Sequence, residues 1–580
     1  MSDQVENYDY IIVGAGSAGA IVAARLTEDP GTTVLLIEAG PEDRNLWSRV
    51  PLGFGKIIFD QDYMWWNHTT DPEPGLNGKQ YPLPHGKVMG GSSAINGLVH
   101  VRGTRLDYDT WKERGAEGWG YEDVLPYFKK HEHHHLGETK YHGADGPLGI
   151  ETARWKNPLA DAFLATAART LGLPRNDDFS GADAAGVGYW DLATWNGRRS
   201  STSYGYIEPN RDRSNLHIVT EALVTKIEFD DRTATGVAYQ RGWQLHHAQA
   251  NREVILSAGA LQTPQLLQVS GVGPGELLRE HGIDVVHELE GVGENLIDHV
   301  QVGRKYTTGS PYTFNRQVAS APSQAKEALN YYLGPRNGPL TIGASLCGAF
   351  LYTEPGLKTP DLHLHFLPFM PGEKGWDLAD YSGFRLGMYQ ARPTSRGRVR
   401  ITSPDPRESP SFVFNHLTED EDVRTLLAGM KLAGQVGAAM PSELEVRETD
   451  PGRDVVGDEE LLEYVRDNAD TAFHFCGSAR MGSDDKAVVD PQLRVRGVDR
   501  LRVIDASVMP TIASGNIHPA VLMIAEKGAD LVKGRTTASE GSALPSEAGA
   551  RDGHGTSRLR ETLADVRLVA AMARKGDLGG

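Results

Sequence analysis

Cysteine is nearly missing. Cys347 and Cys476 are the only 2 in 580 residues, so no disulfide framework holds the chain and a reducing cytoplasm is the expected compartment. Basic residues are outnumbered, 59 Lys and Arg against 77 Asp and Glu, for a formal net charge of −18. That balance argues against nucleic-acid binding and leaves small molecules as the expected partners. No run of about 18 uninterrupted apolar residues occurs, so no membrane span is expected. The opening Met1-Ser2-Asp3-Gln4-Val5-Glu6-Asn7 has neither a basic start nor an apolar segment ahead of the first strand-like run, and no secretory signal is expected there. No internal repeat stands out, and nothing in the composition sets an oligomeric state.

What is present begins with Tyr10-Ile11-Ile12-Val13-Gly14-Ala15-Gly16-Ser17-Ala18-Gly19, followed by Val34-Leu35-Leu36-Ile37-Glu38-Ala39-Gly40. The apolar run before Gly14 reads as a buried parallel strand, and Ala18 to Glu28 has helical apolar spacing. Gly14 permits a tight turn, Gly16 lets backbone approach a pyrophosphate, and Gly19 lets the helix pack on the sheet. The helix N-terminus offers unpaired N–H groups to phosphate. Glu38, at the end of the second strand, is placed to accept from a ribose hydroxyl and would repel a 2′-phosphate, so FAD or NAD is expected and NADP is not.

Trp47, Trp65 and Trp66 follow in a loop-rich segment, where they either wall a cofactor channel or pack an irregular loop. The stretch Gly86 to Gly103 holds Gly90-Gly91-Ser92-Ser93 before an apolar helical pattern, which suggests a second close backbone approach capped by a serine hydroxyl. His131-Glu132-His133-His134-His135 invites a metal reading. Adjacent histidines point in different directions and no second ligand set follows at metal spacing, so no metal is expected and a solvated helix end or loop is. Strand-like runs between Asn215 and Ala258 return the chain to the cofactor half. Thr263 and Pro264 then read as N-cap and first residue of a helix closed by Gly271. From about Val300 to Arg466 alternating strands suggest a sheet with one covered face, a substrate-domain wall, beside helices at Asp420 to Met440 and Asp458 to Asn468. His474 follows among small and apolar residues, and His518 lies just ahead of a helical pattern at Ala520 to Leu531. Histidine has the pKa for proton transfer near neutrality.

Taken together, the cradle, Gly86 to Asn96, Gly259 to Gly273, His474-x-x-Gly477-Ser478-x-x-Met481-Gly482, Asp505-Ala506-Ser507-x-Met509-Pro510 and Asn516-x-His518-Pro519 stand in the order of the motifs of the glucose-methanol-choline (GMC) oxidoreductase family. The resemblance runs over about residues 5 to 537. It implies an α/β fold, α+β overall, with a discontinuous Rossmann-like FAD-binding domain interleaved with a substrate-binding domain on an antiparallel or mixed sheet. The expected division is 1–150, 215–300 and 467–535 for the FAD-binding parts, 151–214 for a mixed segment, 301–466 for the substrate domain and 536–580 for a tail. The resemblance implies FAD contacts at Gly14, Gly16, Ser17, Ala18, Gly19, Glu38, Ala39 and Trp66. It implies others at Gly90, Gly91, Ser92, Asn96, Gly97, Val99, Val224, Ala258, Gly259, Asp505, Ala506, His518 and Pro519.

The implied reaction is oxidation of an alcohol to an aldehyde or ketone by hydride transfer to flavin, with oxygen or another acceptor taking the electrons. His474 matches the family's catalytic base and His518 its second active-site position, where the alkoxide would be held. Lyases on the same scaffold are the alternative class. Family members commonly have Pro and Thr where this chain has Phe475 and Ser478, so the loop around His474 is expected to sit differently. Some members attach FAD through a histidine whose place is taken here by Ile95, and non-covalent FAD is therefore expected. Cys476, beside the base, reads as a buried filler. Residues 536–555 read as a polar linker, and Ser557 to Lys575 has amphipathic spacing that the resemblance does not reach.

Overall fold

The computed structural model describes residues 6–65, 68–372, 378–455 and 457–535. Trp66 and the amphipathic stretch at 557–575 lie outside the described residues. Strand β1 (Glu6–Val13) leads through Gly14 and Gly16 into helix α1 (Ser17–Leu26) and strand β2 (Val34–Ile37). All of β2 and the last four residues of β1 are buried, as continuous apolar runs are when both faces of a parallel sheet are covered. Farther along the chain, strand β3 (Gly186–Tyr189) belongs to a second sheet. Strands β4 (Leu216–Val219), β5 (Ala222–Asp230), β6 (Thr233–Arg241) and β7 (Gln244–Leu256) complete the first, in the order β4-β2-β1-β7-β6-β5. The long β7 joins two patterns: its start pairs antiparallel with β6, and its later part runs parallel to β1.

Helix α2 (Gly259–Val269) corrects the expected start at Thr263: Pro264 lies inside it. An interior proline leaves the carbonyl four residues back without its N–H donor. Here that carbonyl is Ala260 O, and the Ser478 hydroxyl donates to it at 2.5 Å. Thr263 is not a cap either; its hydroxyl donates to Asp505 at 2.6 Å, and the same carboxylate oxygen accepts from Gly259 N at 2.9 Å. Gly271, at φ +91°, follows the helix end as expected. The pattern after Ser92 and Ser93 does not make an α-helix: Gly91–Ala94 is a single 3₁₀ turn.

The second sheet takes β8 (Val300–Thr307), β9 (Cys347–Leu351), β10 (Leu362–Leu367) and β11 (Gly383–Gln390). After helix α3 (Asp420–Ala438) it adds β12 (Arg447–Asp450), for the antiparallel order β12-β8-β11-β10-β9-β3. Helix α4 (Asp458–Asn468) precedes β13 (Asp470–Thr471), which pairs with the start of β8. Glycine lets α3 approach closely: a Cβ on Gly429 would lie 2.6 Å from the Leu362 side chain. The other face of β10 carries His363, which is also fully buried, so both faces of this sheet are covered rather than the one that alternation suggested.

Strand β14 (Leu501–Val503) adds to the end of β7 in parallel, and helix α5 (Ile517–Val532) returns against α1. Arg25 on α1 donates three hydrogen bonds to Glu526 on α5, at 2.8 to 3.1 Å, and Tyr206 Oη donates to the same carboxylate at 2.7 Å. Opposing burial, Arg25 and Lys130 hold Glu526 down at about 2. Its stabilising contribution is therefore complete above the usual glutamate value of 4.5 and is lost as pH falls towards 2. Arg25→Ala removes the guanidinium bonds and leaves Glu526 only Lys130 and Tyr206, so it is expected to cost about 1.5–3 kcal/mol at pH 7. A urea midpoint lowered at pH 7, with the gap to the parent closing in acid, checks this.

Candidate active site

Gly14 takes φ +95°, and a Cβ there would lie 2.5 Å from Ser257 O; one on Gly19 would lie 1.9 Å from Gly14 O. The strand-to-helix turn is therefore closed to larger residues at both positions. Gly16 is different: the nearest atom to its Cβ position is Gly91 Cα at 3.8 Å, so the two glycine motifs face one another. Helix α1 starts at Gly16 without a side-chain cap, which leaves the first N–H groups at Ser17 and Ala18 for phosphate oxygens. The cleft between these parts encloses about 730 Å³, open mouth included. Of the expected contacts, Gly14, Gly16, Glu38, Ala39, Gly91, Val224 and Ala258 line it. Trp65, Gln262, Leu266 and Pro406 line it too; of these, Gln262 and Leu266 fall in the motif Gly259 to Gly273, Trp65 in the loop-rich tryptophan segment, and only Pro406 carried no sequence signal.

Glu38 accepts from Ala15 N and Gly40 N, both at 2.8 Å, and burial pushes its carboxyl up to about 7. It holds the turn together and still presents acceptor oxygen at the cleft wall, which suits a ribose hydroxyl. Two close glycine backbones, an uncapped helix start and a buried acceptor fit the ADP portion of a dinucleotide.

The reactive groups lie elsewhere. The backbone fixes His474: its N–H donates to Asp298 Oδ1 at 2.7 Å, Cys476 and Ile297 exchange two backbone bonds at 2.9 Å, and Phe473 is left-handed at φ +62°. The departure from the family pattern at Phe475 puts a buried ring against Phe414, with centroids 5.6 Å apart.

A carbonyl only accepts, so the contact between His299 Nε2 and Ala391 O, 3.0 Å, must be a bond donated by His299. Burial pushes His299 down to about 3, hence neutral, and its Nδ1 carries a lone pair. That lone pair accepts from His474 Nδ1 at 2.9 Å. Burial, with His299 adding to it, also holds His474 well below 6.5, so its single proton is on Nδ1 and its Nε2 is the basic atom. Asn516 Nδ2 donates to that Nε2 at 3.2 Å. One backbone carbonyl thus sets the tautomer of two imidazoles and leaves a neutral base.

The structure brings Asn516, not His518, to His474. Asn516 is the N-cap of α5 and makes no side-chain cap bond, so its amide is free to reach the imidazole. His518, two residues on in the first turn, has a buried Nε2 without a hydrogen-bond partner; burial first, then His100, His131 and Arg199, push it down to about 3. Pro519 also lies in that first turn, where a missing N–H costs nothing. Asp505 caps the 3₁₀ turn that Ala506 begins, and its carboxylate accepts from Gly259 N. Asn96 accepts from Arg199 Nη1 at 2.8 Å through its side chain and from Nη2 at 2.8 Å through its carbonyl, which holds the turn of Gly90, Gly91, Ser92, Gly97 and Val99 in place.

The histidine cluster is not a solvated helix end: His131, Glu132 and His134 are buried. Arg102 donates to Glu132 at 2.8 Å, and His142 bridges Glu132 at 3.2 Å and Asp178 at 3.0 Å, so an ionic network draws the segment inside. Cys476 is buried and unpaired, and burial with Asp298 nearby pushes its thiol up, away from reactivity.

A dinucleotide cradle with a neutral histidine on the return segment is the arrangement of a nucleotide-dependent oxidoreductase. The chain belongs to the GMC oxidoreductase family: the family's N-terminal region matches residues 8–301 and its C-terminal region residues 393–525. It is 41% identical over 549 residues to an oxygen-dependent choline dehydrogenase of Chromohalobacter salexigens, covering 92% of this chain and 96% of the relative. Among solved structures it is similar to pyridoxine 4-oxidase from Mesorbium loti, with 30% identity, a TM-score of 0.81, and 90% and 98% of the two chains covered. A fungal aryl-alcohol oxidase is similar at 26% identity and a TM-score of 0.78, with 91% and 99% covered. The chain is accordingly an FAD-dependent oxidoreductase acting on CH–OH groups, and none of these relatives is named as a lyase.

Proposed function

We propose that His474 Nε2 takes the hydroxyl proton of an alcohol, that Asn516 holds the developing alkoxide oxygen, and that the carbinol carbon becomes an aldehyde or ketone. The observation that carries this reading is the directed chain from Ala391 O through His299 to His474, which leaves the lone pair on Nε2. Bound in the cleft by the glycine turns and Glu38, FAD supplies the hydride acceptor. Asn516 Nδ2 is a donor, so it suits an oxygen gaining negative charge. The start of α5 adds positive potential on the same side. The test is an alcohol carrying deuterium in place of the carbinol hydrogens. Cleavage of that bond in the slow step predicts a severalfold slower bleaching of the flavin; an equal rate would speak against it.

FAD is held without a covalent bond in this reading. Ile95, at the position where attachment occurs in some members, is a buried hydrocarbon with no atom able to form the link. Acid precipitation is expected to leave the yellow flavin in the supernatant; colour pelleting with the protein would contradict this. The final acceptor is oxygen or another oxidant, which reoxidation in air against a quinone or dye distinguishes. No helix among the described residues is long and apolar enough to cross a membrane, and two buried unpaired thiols suit a reducing cytoplasm.

A further inference from the structure

We propose that the hairpin loop from Thr402 to Pro410 is a latch over bound FAD, fastened by Gln265, and that its opening sets how fast the cofactor leaves. The inference rests on the reading above in which FAD is held without a covalent bond. Most of the cleft wall belongs to the first sheet, the turns at its strand ends and helix α2, as at Val13, Glu38, Val224, Ala258 and Leu266. Pro406 is the exception. Among the described residues that line the cleft it alone comes from the C-terminal region, at the tip of a hairpin between the short strands Gly397–Arg400 and Ser411–Val413.

Helix α2 carries Gln262, Gln265 and Gln268, three residues apart and so along one side of the helix. Each ties down a different segment. Gln268 accepts from Ile401 N at 2.9 Å and donates to Val399 O at 3.0 Å and Val292 O at 3.2 Å, which pins the base of the hairpin. Gln265 donates to Pro406 O at 3.1 Å and to Glu408 O at 2.8 Å, which pins its tip. Gln262 meets His85 Nε2 at 2.9 Å and His68 Nδ1 at 3.2 Å, the rings that stack with Trp65 on the cleft wall.

Base and tip differ in how readily they let go. Gln268, Val399 and Val292 are buried, where an unmet carbonyl is costly; Pro406 is half-exposed and Glu408 exposed, so water takes over their carbonyls when the tip lifts. Between Thr402 and Pro410, among the described residues, the hydrogen bonds that leave the loop both come from Gln265. The others close it on itself, Thr402 Oγ1 donating to Ser409 O at 2.8 Å and Arg407 N to Asp405 Oδ1 at 3.0 Å. Pro404, Pro406 and Pro410 add fixed φ angles. The tip is thus a stiff body on a fixed base, held shut by one side chain, and a cofactor lying against Pro406 leaves when that body swings.

The experiment loads the full chain with isotope-labelled FAD, adds excess unlabelled FAD, and counts the label left on the protein with time. Gln265→Leu keeps the bulk but cannot donate, and is expected to lose label at least about tenfold faster than the parent, the scale of two ordinary neutral hydrogen bonds. Pro406→Gly, on a half-exposed loop outside the two large sheets, is expected to speed the loss in the same direction. Parental exchange is expected to change little with urea well below the unfolding transition, because lifting a loop exposes little surface and global unfolding exposes much. Label loss at the parental rate in either variant, or parental exchange rising with urea as steeply as unfolding itself, overturns the latch and leaves non-covalent FAD standing. Flavin colour that stays with acid-precipitated protein overturns non-covalent binding and the latch with it.

Discussion

His474→Ala is expected to lower the limiting rate of flavin reduction by about 10²- to 10⁴-fold, the usual contribution of a positioned acid–base group, while the variant retains FAD. Two features separate that outcome from a general loss of structure. The loop is held by backbone groups that alanine keeps, since the bond at 2.7 Å to Asp298 is donated by the main-chain N–H. The cofactor cleft is lined by other segments, from Val13 to Pro406, and His474 is not among them. Flavin absorbance at unchanged stoichiometry, with slow bleaching by substrate, is the signature. A variant that reduces its flavin at the parental rate would remove His474 from the chemistry.

Gly19→Ala is expected to yield protein without bound FAD. The added Cβ would lie 1.9 Å from Gly14 O, and both partners are main chain, so no side-chain rotation relieves the overlap. The turn must open, and it is the turn that aims backbone at the pyrophosphate. A ligand that binds only the folded state at 100 times its dissociation constant adds about 2.7 kcal/mol of stability. The variant should therefore purify colourless and gain no thermal stability from added FAD, whereas parental apoprotein gains it. A yellow Gly19→Ala protein would show that the turn has more room than its glycines indicate.

The first 40 residues were legible because their signals are local. A strand, a helix and a second strand with a terminal acid follow in one βαβ unit, and Gly14 and Gly19 answer contacts within that unit or with Ser257. The site beyond them was less so, because its bonds span the chain. His299 reaches His474 across 175 positions and Asn516 reaches it across 42; no periodicity records either. His518, two places after Asn516, was expected at the site because it matches the family's second active-site position; the helix begins at Ile517 and sets His518 among His100, His131 and Arg199. Pro264 misled for the same reason. It reads as a helix start unless one knows that Ser478, 218 positions away from Ala260, satisfies the carbonyl it exposes. The buried Glu132 and His134 likewise depend on distant Arg102, His142 and Asp191.

Alcohol oxidation at His474 is tested most directly by anaerobic titration of the FAD-loaded enzyme with an uncharged primary alcohol, following flavin absorbance and product together. The account predicts complete bleaching with one aldehyde formed per flavin reduced. Product formed without bleaching, or a flavin that stays oxidised across alcohols of every class, would contradict it.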